Sequence, residues 1–571
     1  MAASRSSLLL WSMLSGLLWA AAWPGIGGLA PLAFVAWLPL LHAERLHDTL
    51  GGRRSFVPWV LLAHFVWNAS CSWWFFMVSE PMPTRIVSVT APVVVNTLLM
   101  TMPWWLKRVA ARIISPRVAV PAFMILWLAM ERLHHGWDLQ WPWFSLGNVF
   151  GFWPAWVQWY EVTGMLGGSL WVLVVTILLD AALRNRMIGA PFKRHAIAAV
   201  LVVLLPLSSS LVRFHTYEER GAELDVVVVQ PNVDPYLEKF GGVDALTQLE
   251  QMLAQADAAM GPGTRLVILP ETALQERSYA DLTAGPEGLH GLWENDLGRS
   301  ASVERMRAFQ ADHPGVAMLA GMSSYYLVPQ GAPKPPAARH LGENTGRWYQ
   351  ASNAAVFLAA DGTVGHYRKS KLVAGVEAMP FESVLGRLDD LALDLGGTTG
   401  SLAQQEERAV FRDRSAGFSA IPVICYESVF GEHVAAHVRN GGDLITVITN
   451  DGWWGRSPGY RQHLAFSGLR AIETRRAVAR SANTGISCFV DQRGVMKDLT
   501  AWWEPAARRS SVRLNRTWTP FVKFGDVIGR VAVLLAIVLL TALLLRAART
   551  RYRNSGTRRA MGPSGPSKRT T

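Results

Sequence analysis

Three residues with complementary chemistry lie in the second half of the sequence. Glu271 and Cys425 each come directly after a short apolar run, and Lys369 follows a turn at Asp361-Gly362. A thiol of pKa ~8.5 is mostly protonated at neutral pH and needs a base or a cation in order to react. A carboxylate can take the thiol proton, and an ammonium can stabilise both the thiolate and the oxyanion formed when a carbonyl is attacked. These residue types therefore fit nucleophilic acyl chemistry.

Each of the three residues also has an ordinary structural interpretation. Free cysteines are among the most buried residue types, so Cys425 also fits a core position, while Glu271 and Lys369 also fit exposed positions beside strands. A functional interpretation is favoured by their places at strand ends, because open α/β sheets bind ligands in the loops beyond those ends. We therefore expect the three side chains to converge there.

Six short apolar runs alternate with helical patterns between residues 213 and 526. Most runs are continuously apolar, as is typical of strands buried on both faces. The runs cover 224–229, 265–269, 316–319, 354–358, 421–424 and 444–448, and helical spacing covers 243–259, 301–312 and 461–480. The pattern predicts one large α/β domain whose helices cover the faces of its sheets.

The composition places this domain in a membrane protein. Half of the residues are hydrophobic and only 17% are charged, against about 25% in ordinary soluble proteins. The net charge of +12 divides into +7 for residues 1–212, −3 for residues 213–525 and +8 for residues 526–571. Because the basic excess flanks apolar runs, we expect no nucleic-acid partner. Of the 25 tryptophans, 17 come before residue 160, which suggests interfacial belts.

Eight apolar runs are near the ~20 residues that cross a bilayer. Alternate loops are rich in Lys and Arg, which indicates a cytoplasmic amino terminus. We therefore predict a membrane domain of seven transmembrane helices at 1–212, a catalytic domain outside the cytoplasm at 213–526, an eighth transmembrane helix at 527–545, and a basic, disordered cytoplasmic tail at 546–571. The first run alternatively fits a cleaved signal peptide. The runs are 7–23, 27–43, 56–78, 86–106, 116–133, 163–183, 196–212 and 527–545.

Four short motifs occur in the order found in the nitrilase, or carbon-nitrogen hydrolase, superfamily. With membrane spans before and after the domain, the chain resembles the apolipoprotein N-acyltransferase family of that superfamily, over nearly its whole length. The motifs are Leu269-Pro270-Glu271-Thr272, Lys369-Ser370-Lys371-Leu372-Val373 followed by Glu377, Cys425-Tyr426-Glu427, and Asn450-Asp451-Gly452-Trp453-Trp454-Gly455. Supporting matches are Trp141-Pro142-Trp143, Gln462-His463 and residues 480–485.

The resemblance implies an αββα sandwich and individual roles. Glu271 is expected to be the general base, Lys369 the oxyanion-stabilising cation and Cys425 the nucleophile. Supporting roles are implied for three further residues. Three aromatic residues are candidates for lipid binding because their rings suit an acyl entrance or the interface, although ordinary core packing fits Trp453 and Trp454 equally well. The supporting residues are Glu377, Tyr426 and Glu427, and the lipid-binding candidates are Trp453, Trp454 and Phe240.

The resemblance also implies a two-step acyl transfer. No Cys/His pair has the spacing of zinc ligands, and we expect neither a metal nor another cofactor. Cys425 is expected to take an acyl chain from a phospholipid, usually phosphatidylethanolamine, as a thioester. The acceptor is the α-amine of the diacylglyceryl-cysteine at the amino terminus of an apolipoprotein. The implied location is the bacterial inner membrane, with the catalytic domain on the periplasmic side.

Two other functions are compatible with the same residues. A membrane-tethered amidase or nitrilase would use the same trio with water as acceptor, although one span suffices for tethering. A non-catalytic scaffold or transporter is disfavoured because all three residues of the trio are present.

Two segments depart from the family pattern. Lys371 stands where relatives commonly have His, and it either lowers the pKa of the Cys425 thiol or faces solvent. An arm that carries a functional tryptophan in relatives reads Tyr236-Leu-Glu-Lys-Phe240 here. Both departures concern lipid recognition more than the chemistry of the trio.

Overall fold

A helical domain forms the first part of the chain. The computed structural model describes residues 4–51, 55–236, 243–276, 291–341, 346–381 and 401–560. The helices of this domain are α1 Arg5–Ala22, α2 Leu38–Thr49, α3 Val57–Ser72, α4 Met82–Ile113, α5 Ala119–Leu133, α6 Tyr160–Thr163, α7 Met165–Met187 and α8 Lys193–Thr216.

The predicted run 27–43 is not one helix. A 3₁₀ turn, Ala30–Phe34, precedes α2, which begins at Leu38. Pro31 and Pro39 lie at the start of these two elements, where a residue without an N–H loses no helical hydrogen bond. The local break is therefore encoded by the two prolines.

Tryptophan forms the core of the helical domain. Trp19 stacks on Trp67 with ring centroids 4.5 Å apart, and Trp37 meets Trp127 edge to face at 4.5 Å. The interfacial assignment is wrong for eight tryptophans, which the structure buries almost completely because their large rings fill the space between helices. They are Trp19, Trp23, Trp37, Trp67, Trp74, Trp104, Trp127 and Trp143.

Two mixed β-sheets make up the second domain. The larger has the order β14-β1-β2-β4-β6-β5, with β3 also pairing with β4 and β7 with β6, and the smaller has the order β13-β12-β11-β10-β9-β8. The strands are β1 Ala222–Gln230, β2 Thr264–Ile268, β3 Leu292–Trp293, β4 Ala317–Leu327, β5 Ala338–His340, β6 Trp348–Leu358, β7 Val364–Arg368, β8 Phe411–Asp413, β9 Phe418–Ile424, β10 Leu444–Thr449, β11 Ala477–Ala482, β12 Cys488–Val490, β13 Met496–Lys497 and β14 Ala506–Leu514.

The two sheets pack face to face between two layers of helices. Residues such as Val226 and Ile268 of the larger sheet share one apolar cluster with Ile424 and Ile448 of the smaller. The outer faces are covered by helices. The αββα sandwich that the resemblance implied is confirmed. The covering helices are α9 Ala245–Ala259, α10 Ala301–Asp312, α11 Gly431–Arg439, α12 Pro458–Thr474 and α13 Pro520–Phe524.

The helical pattern predicted at 461–480 contains a helix and a strand. Helix α12 ends at Thr474, Arg475 follows with a φ of 52°, and β11 begins at Ala477. A left-handed residue cannot continue a right-handed helix. The prediction was wrong at its carboxyl end because every residue of β11 is buried and so carries no alternation.

A last helix, α14 Val527–Ala560, returns to the helical domain. It packs on α5 through Ala536 and Leu543. Among the described residues, α4, α7, α8 and α14 are long and apolar enough to cross a membrane. Helix α14 extends past residue 545, where the predicted tail begins. The count of eight crossings stays a prediction.

Candidate active site

The predicted trio meets where strands of the two sheets end. Glu271 follows β2, Cys425 follows β9 and Lys369 follows β7. The turns are sharp, because Cys425 has a φ of 50° and Thr272 a φ of 48°. The left-handed region is uncommon for residues other than glycine and is frequent at functional sites. The structure thus brings Glu271, Lys369 and Cys425 into one site.

Lys369 is buried between two carboxylates. Its Nζ lies 2.8 Å from Glu377 Oε1 and 3.4 Å from Glu271 Oε1. Asn353, in the middle of β6, donates from Nδ2 to the same two oxygens, at 2.7 Å to Glu271 and 3.1 Å to Glu377. The ammonium and the amide together hold the two acidic side chains side by side.

Backbone N–H groups fix the second oxygen of each carboxylate. Asn450 N donates to Glu271 Oε2 at 2.9 Å, and Val373 N donates to Glu377 Oε2 at 2.9 Å. Charge-assisted bonds of this kind are stronger than neutral ones. Both carboxylates are therefore oriented before a substrate arrives.

Electrostatics assign different protonation states to the lysine and the thiol. Burial lowers the pKa of Lys369, but Glu377 and then Glu271 outweigh burial and hold it above its usual range. Burial raises the pKa of the Cys425 thiol, and Glu271 raises it further, while Lys369 and a hydrogen bond with Thr449 lower it less. The resting pair is therefore an ammonium and a neutral thiol, and the thiol needs a base.

Glu427 joins the nucleophile turn to the lysine segment. Its Oε2 accepts from Ile424 N at 2.8 Å, and its Oε1 accepts from Ser370 N at 2.7 Å and from the Tyr367 hydroxyl at 2.8 Å. Burial raises the pKa of Glu427, but the neighbouring His433, the bond from Ile424 N and the more distant His437 lower it to about 2. Glu427 thus links the turn that carries Cys425 to the segment that carries Lys369.

A second buried network of hydrogen bonds contacts the turn that carries Cys425. His463 Nε2 lies 3.0 Å from the Cys425 carbonyl oxygen, and His463 Nδ1 lies 2.8 Å from Asp451 Oδ1. Arg480 Nη2 donates to Asp451 Oδ2 at 2.7 Å. These groups are fully buried, so they support the turn without access to a substrate.

Aromatic side chains connect the site to the helical domain. Tyr426 stacks with Trp141, with centroids 6.1 Å apart, and Trp454 lies 4.7 Å from Trp74. Trp453 meets the Tyr236 ring edge to face at 5.1 Å. Both Trp453 and Trp454 are half-buried, and lipid binding by them stays a prediction. Phe240 lies outside the described residues.

Lys371 is half-buried, and its ammonium contacts the helical domain. An effect of Lys371 on the pKa of the Cys425 thiol stays a prediction. Lys371 Nζ donates to the His135 carbonyl at 3.1 Å and to Gln140 Oε1 at 3.2 Å, both in the helical domain. The residues around Lys371 in the sequence do not predict these contacts, because both partners lie more than 230 positions earlier in the chain.

Asn353 is the residue of the site that sequence reasoning missed. It contacts both Glu271 and Glu377 but lies inside a strand, where no strand-end signal applies. A lone amide in the buried run Ala351–Leu358 was the available sign, because buried polar groups need partners.

Comparison with known proteins first defines the class. Residues 228–514 match the carbon-nitrogen hydrolase family, which is half of the chain. The chain therefore belongs to the carbon-nitrogen hydrolase family. A solved amidase from Nesterenkonia sp. is 18% identical, with a TM-score of 0.33 over 52% of this chain and 93% of that chain.

Relatives over the whole length are more specific. Residues 15–178 match the apolipoprotein N-acyltransferase N-terminal domain. The apolipoprotein N-acyltransferase of Chlorobaculum tepidum is 29% identical over 94% of this chain and 96% of its own length. That of Geobacter metallireducens is 27% identical, covering 91% of this chain and 92% of its own.

Proposed function

We propose that this chain is a membrane-embedded apolipoprotein N-acyltransferase that works through a Cys425 thioester. The observation that carries the proposal is the Glu271–Lys369–Cys425 site in a chain whose helical and catalytic parts both match relatives of that name. The donor is a phospholipid, with phosphatidylethanolamine as the proposed species, and the acceptor is the α-amine of a diacylated apolipoprotein.

In the first step Cys425 Sγ attacks the ester carbonyl of the phospholipid. Glu271 takes the thiol proton as the C–S bond forms, and Lys369 stabilises the oxyanion. The ester C–O bond then breaks, and the proton on Glu271 passes to the leaving alkoxide. The products are a lysophospholipid and an acyl thioester on Cys425.

In the second step the α-amine attacks the thioester. Glu271 takes a proton from the amine, the C–S bond breaks, and the leaving thiolate takes that proton from Glu271. An N-acylated lipoprotein leaves and the free thiol returns. Glu377 keeps Lys369 charged throughout through the 2.8 Å contact between Oε1 and Nζ.

The membrane frame suits two lipid substrates. Extracting an acyl chain from the bilayer costs about 0.8 kcal/mol per CH₂, so a site beside the helical domain avoids that cost. We place the catalytic domain, residues 213–526, outside the cytoplasm of a bacterial inner membrane, between a membrane domain at 1–212 and the last helix at 527–545. The basic end of the chain then lies in the cytoplasm.

The decisive test is mass spectrometry of the full-length protein in phospholipid micelles. We expect an acyl mass on Cys425 and its transfer to the amine of a diacylated lipopeptide. Cys425→Ser should carry no acyl mass and transfer nothing. Cys488→Ser is the matched control, because Cys488 lies in β12, and it should keep the acyl mass.

Two outcomes would contradict the proposal. If Cys425→Ser N-acylated the lipopeptide at the wild-type rate, Cys425 would not be the nucleophile. Release of free fatty acid in place of an acylated amine would instead identify a hydrolase.

A further inference from the structure

Gln140 of the helical domain contacts both segments that carry the reactive groups. It lies in the loop between α5 and α6. Its Nε2 donates to the Leu372 carbonyl at 3.2 Å, and its Oε1 accepts from Lys371 Nζ at 3.2 Å. Its own carbonyl accepts from the Tyr426 hydroxyl at 2.8 Å. One residue therefore touches the segment after Lys369 and the neighbour of Cys425.

A side-chain amide is matched to these partners. The Leu372 carbonyl needs a donor and the Lys371 ammonium needs an acceptor, and an amide supplies both from one planar group. A carboxylate would satisfy only the ammonium, and an apolar side chain would satisfy neither. The chemistry at position 140 is thus specific.

The contacts of Gln140 are partly shielded from water. Leu372 is fully buried. Lys371 is half-buried, with its Nζ 5.1 Å from the centre of the Phe430 ring. Without the Gln140 amide the Leu372 carbonyl loses this hydrogen bond, and a buried polar group left unpaired costs more than a hydrogen bond contributes. Lys371 then keeps only the His135 carbonyl of its two acceptors in the helical domain.

The contacts lie close to the reacting groups in the chain. Lys371 is two residues after Lys369, and Tyr426 is next to Cys425. Glu427 fixes the same segment from within the catalytic domain, because its Oε1 accepts from Lys371 N at 3.2 Å. Gln140 adds a constraint from the opposite side, across the boundary between the domains.

We propose that Gln140, paired with Lys371, is a positioning residue through which the helical domain sets the separation of Lys369 and Cys425 for acyl transfer. This inference rests on the proposed function. A displacement of about 1 Å at a catalytic group can cost 10²-fold in rate. The membrane domain then has a part in the chemistry beyond anchoring.

The test measures single-turnover formation of acyl-Cys425 by the full-length protein in phospholipid micelles. We expect Gln140→Ala and Lys371→Met each to slow thioester formation at least about tenfold, with the KM for phospholipid changed less than about twofold. The loss of rate in the double variant should be smaller than the product of the two single losses, because both variants remove the contact between Gln140 and Lys371. Each variant also removes one contact of its own, with Leu372 or with His135.

A control in the same loop separates positioning from general damage. Gly136→Ala should keep the wild-type rate, because a Cβ there meets no atom within 4 Å. Gln140→Glu keeps an acceptor for Lys371, so its rate of thioester formation should fall less than that of Gln140→Ala. This variant also provides a test if Gln140→Ala does not accumulate in the membrane.

The inference is overturned if the single variants acylate Cys425 at the wild-type rate, or if their losses multiply in the double variant. It is also overturned if the losses appear only in KM. Failure of the proposed function is distinguishable, because the wild-type protein itself would then form no acyl-Cys425.

Discussion

The protonation state of Cys425 determines what the surrounding residues have to do. The Lys369 ammonium lowers the pKa of the thiol, but burial and Glu271 raise it more. A thiolate that is not preformed has to be generated during attack, and Glu271 is oriented for that by Asn450 N and Asn353. The lysine is thus better matched to the oxyanion than to the resting thiol.

Glu427 should make stability depend on acid pH. Its pKa is about 2 in the folded protein, against ~4.3 in an unfolded chain. A depressed pKa contributes stability above the unfolded value, and this is lost as pH falls toward the folded value. Glu427→Gln should therefore lower Tm at pH 7, by a free energy on the order of 3 kcal/mol or less.

As pH falls below ~4.3, the difference in Tm between the wild type and Glu427→Gln should shrink. Scanning fluorimetry in detergent would measure it. A difference in Tm that stays constant as pH falls would show that Glu427 is not ionised in the folded protein.

The trio could be located from the sequence because each member follows a strand or hairpin that the pattern reveals. Asn353 could not, because it lies inside β6. The pairing of Gln140 with Lys371 joins residues 231 positions apart, and no local pattern specifies such a contact. Residues that act at strand ends are thus easier to predict than residues that hold them.

Strands β2 and β4 show how elements hold Glu271, the proposed catalytic base. They pair in parallel, and Gly321 N of β4 donates to Pro270 O at 3.1 Å. A Cβ at Gly321 would lie 2.6 Å from Glu271 Cα and from Thr272 N. These are backbone atoms, which cannot swing aside as a side chain can. The glycine is therefore required for the position of Glu271.

Gly321→Ala should slow acyl transfer at least about tenfold by displacing Glu271. The measurement is the initial rate of N-acylation of a lipopeptide by protein purified from membranes. Gly298→Ala is the control, because a Cβ there meets no atom within 4 Å. A wild-type rate in Gly321→Ala would show that the turn adapts without loss.

Element types were predictable where the pattern was strong. The buried strands and the helices α9 and α10 were visible as apolar runs and helical spacing. The end of α12 depends on one left-handed residue, Arg475, which composition does not reveal. The buried tryptophans show the same limit, because an indole ring suits either an interface or a core.

The two domains are joined by buried polar groups. Arg475 Nε lies 2.6 Å from Glu161 Oε2, and its Nη1 donates to Gln158 Oε1 at 2.7 Å. Glu473 Oε1 accepts from Met165 N, at the start of α7, at 2.9 Å. Truncating one member of such a buried set is costly. Buried polar contacts thus fix the catalytic domain against the helical domain.

The proposed orientation predicts from which side of the membrane a reagent can reach each exposed residue. Glu304 is exposed on α10 and Arg549 is exposed near the end of α14. A membrane-impermeant maleimide should label Glu304→Cys in intact spheroplasts and Arg549→Cys only after lysis. The native cysteines are buried, so background should be low. Protection of Glu304→Cys in spheroplasts would reverse the topology.

The packing of α14 on α5 constrains the order of biogenesis. Ala122 and Leu126 of α5 share a cluster with Ala536 and Leu543 of α14. Synthesis runs from the amino to the carboxyl end, so the ribosome makes the whole catalytic domain before α5 meets this partner. The contact between α5 and α14 can therefore form only after the catalytic domain has been synthesised, so the helical domain is completed by the last segment of the chain.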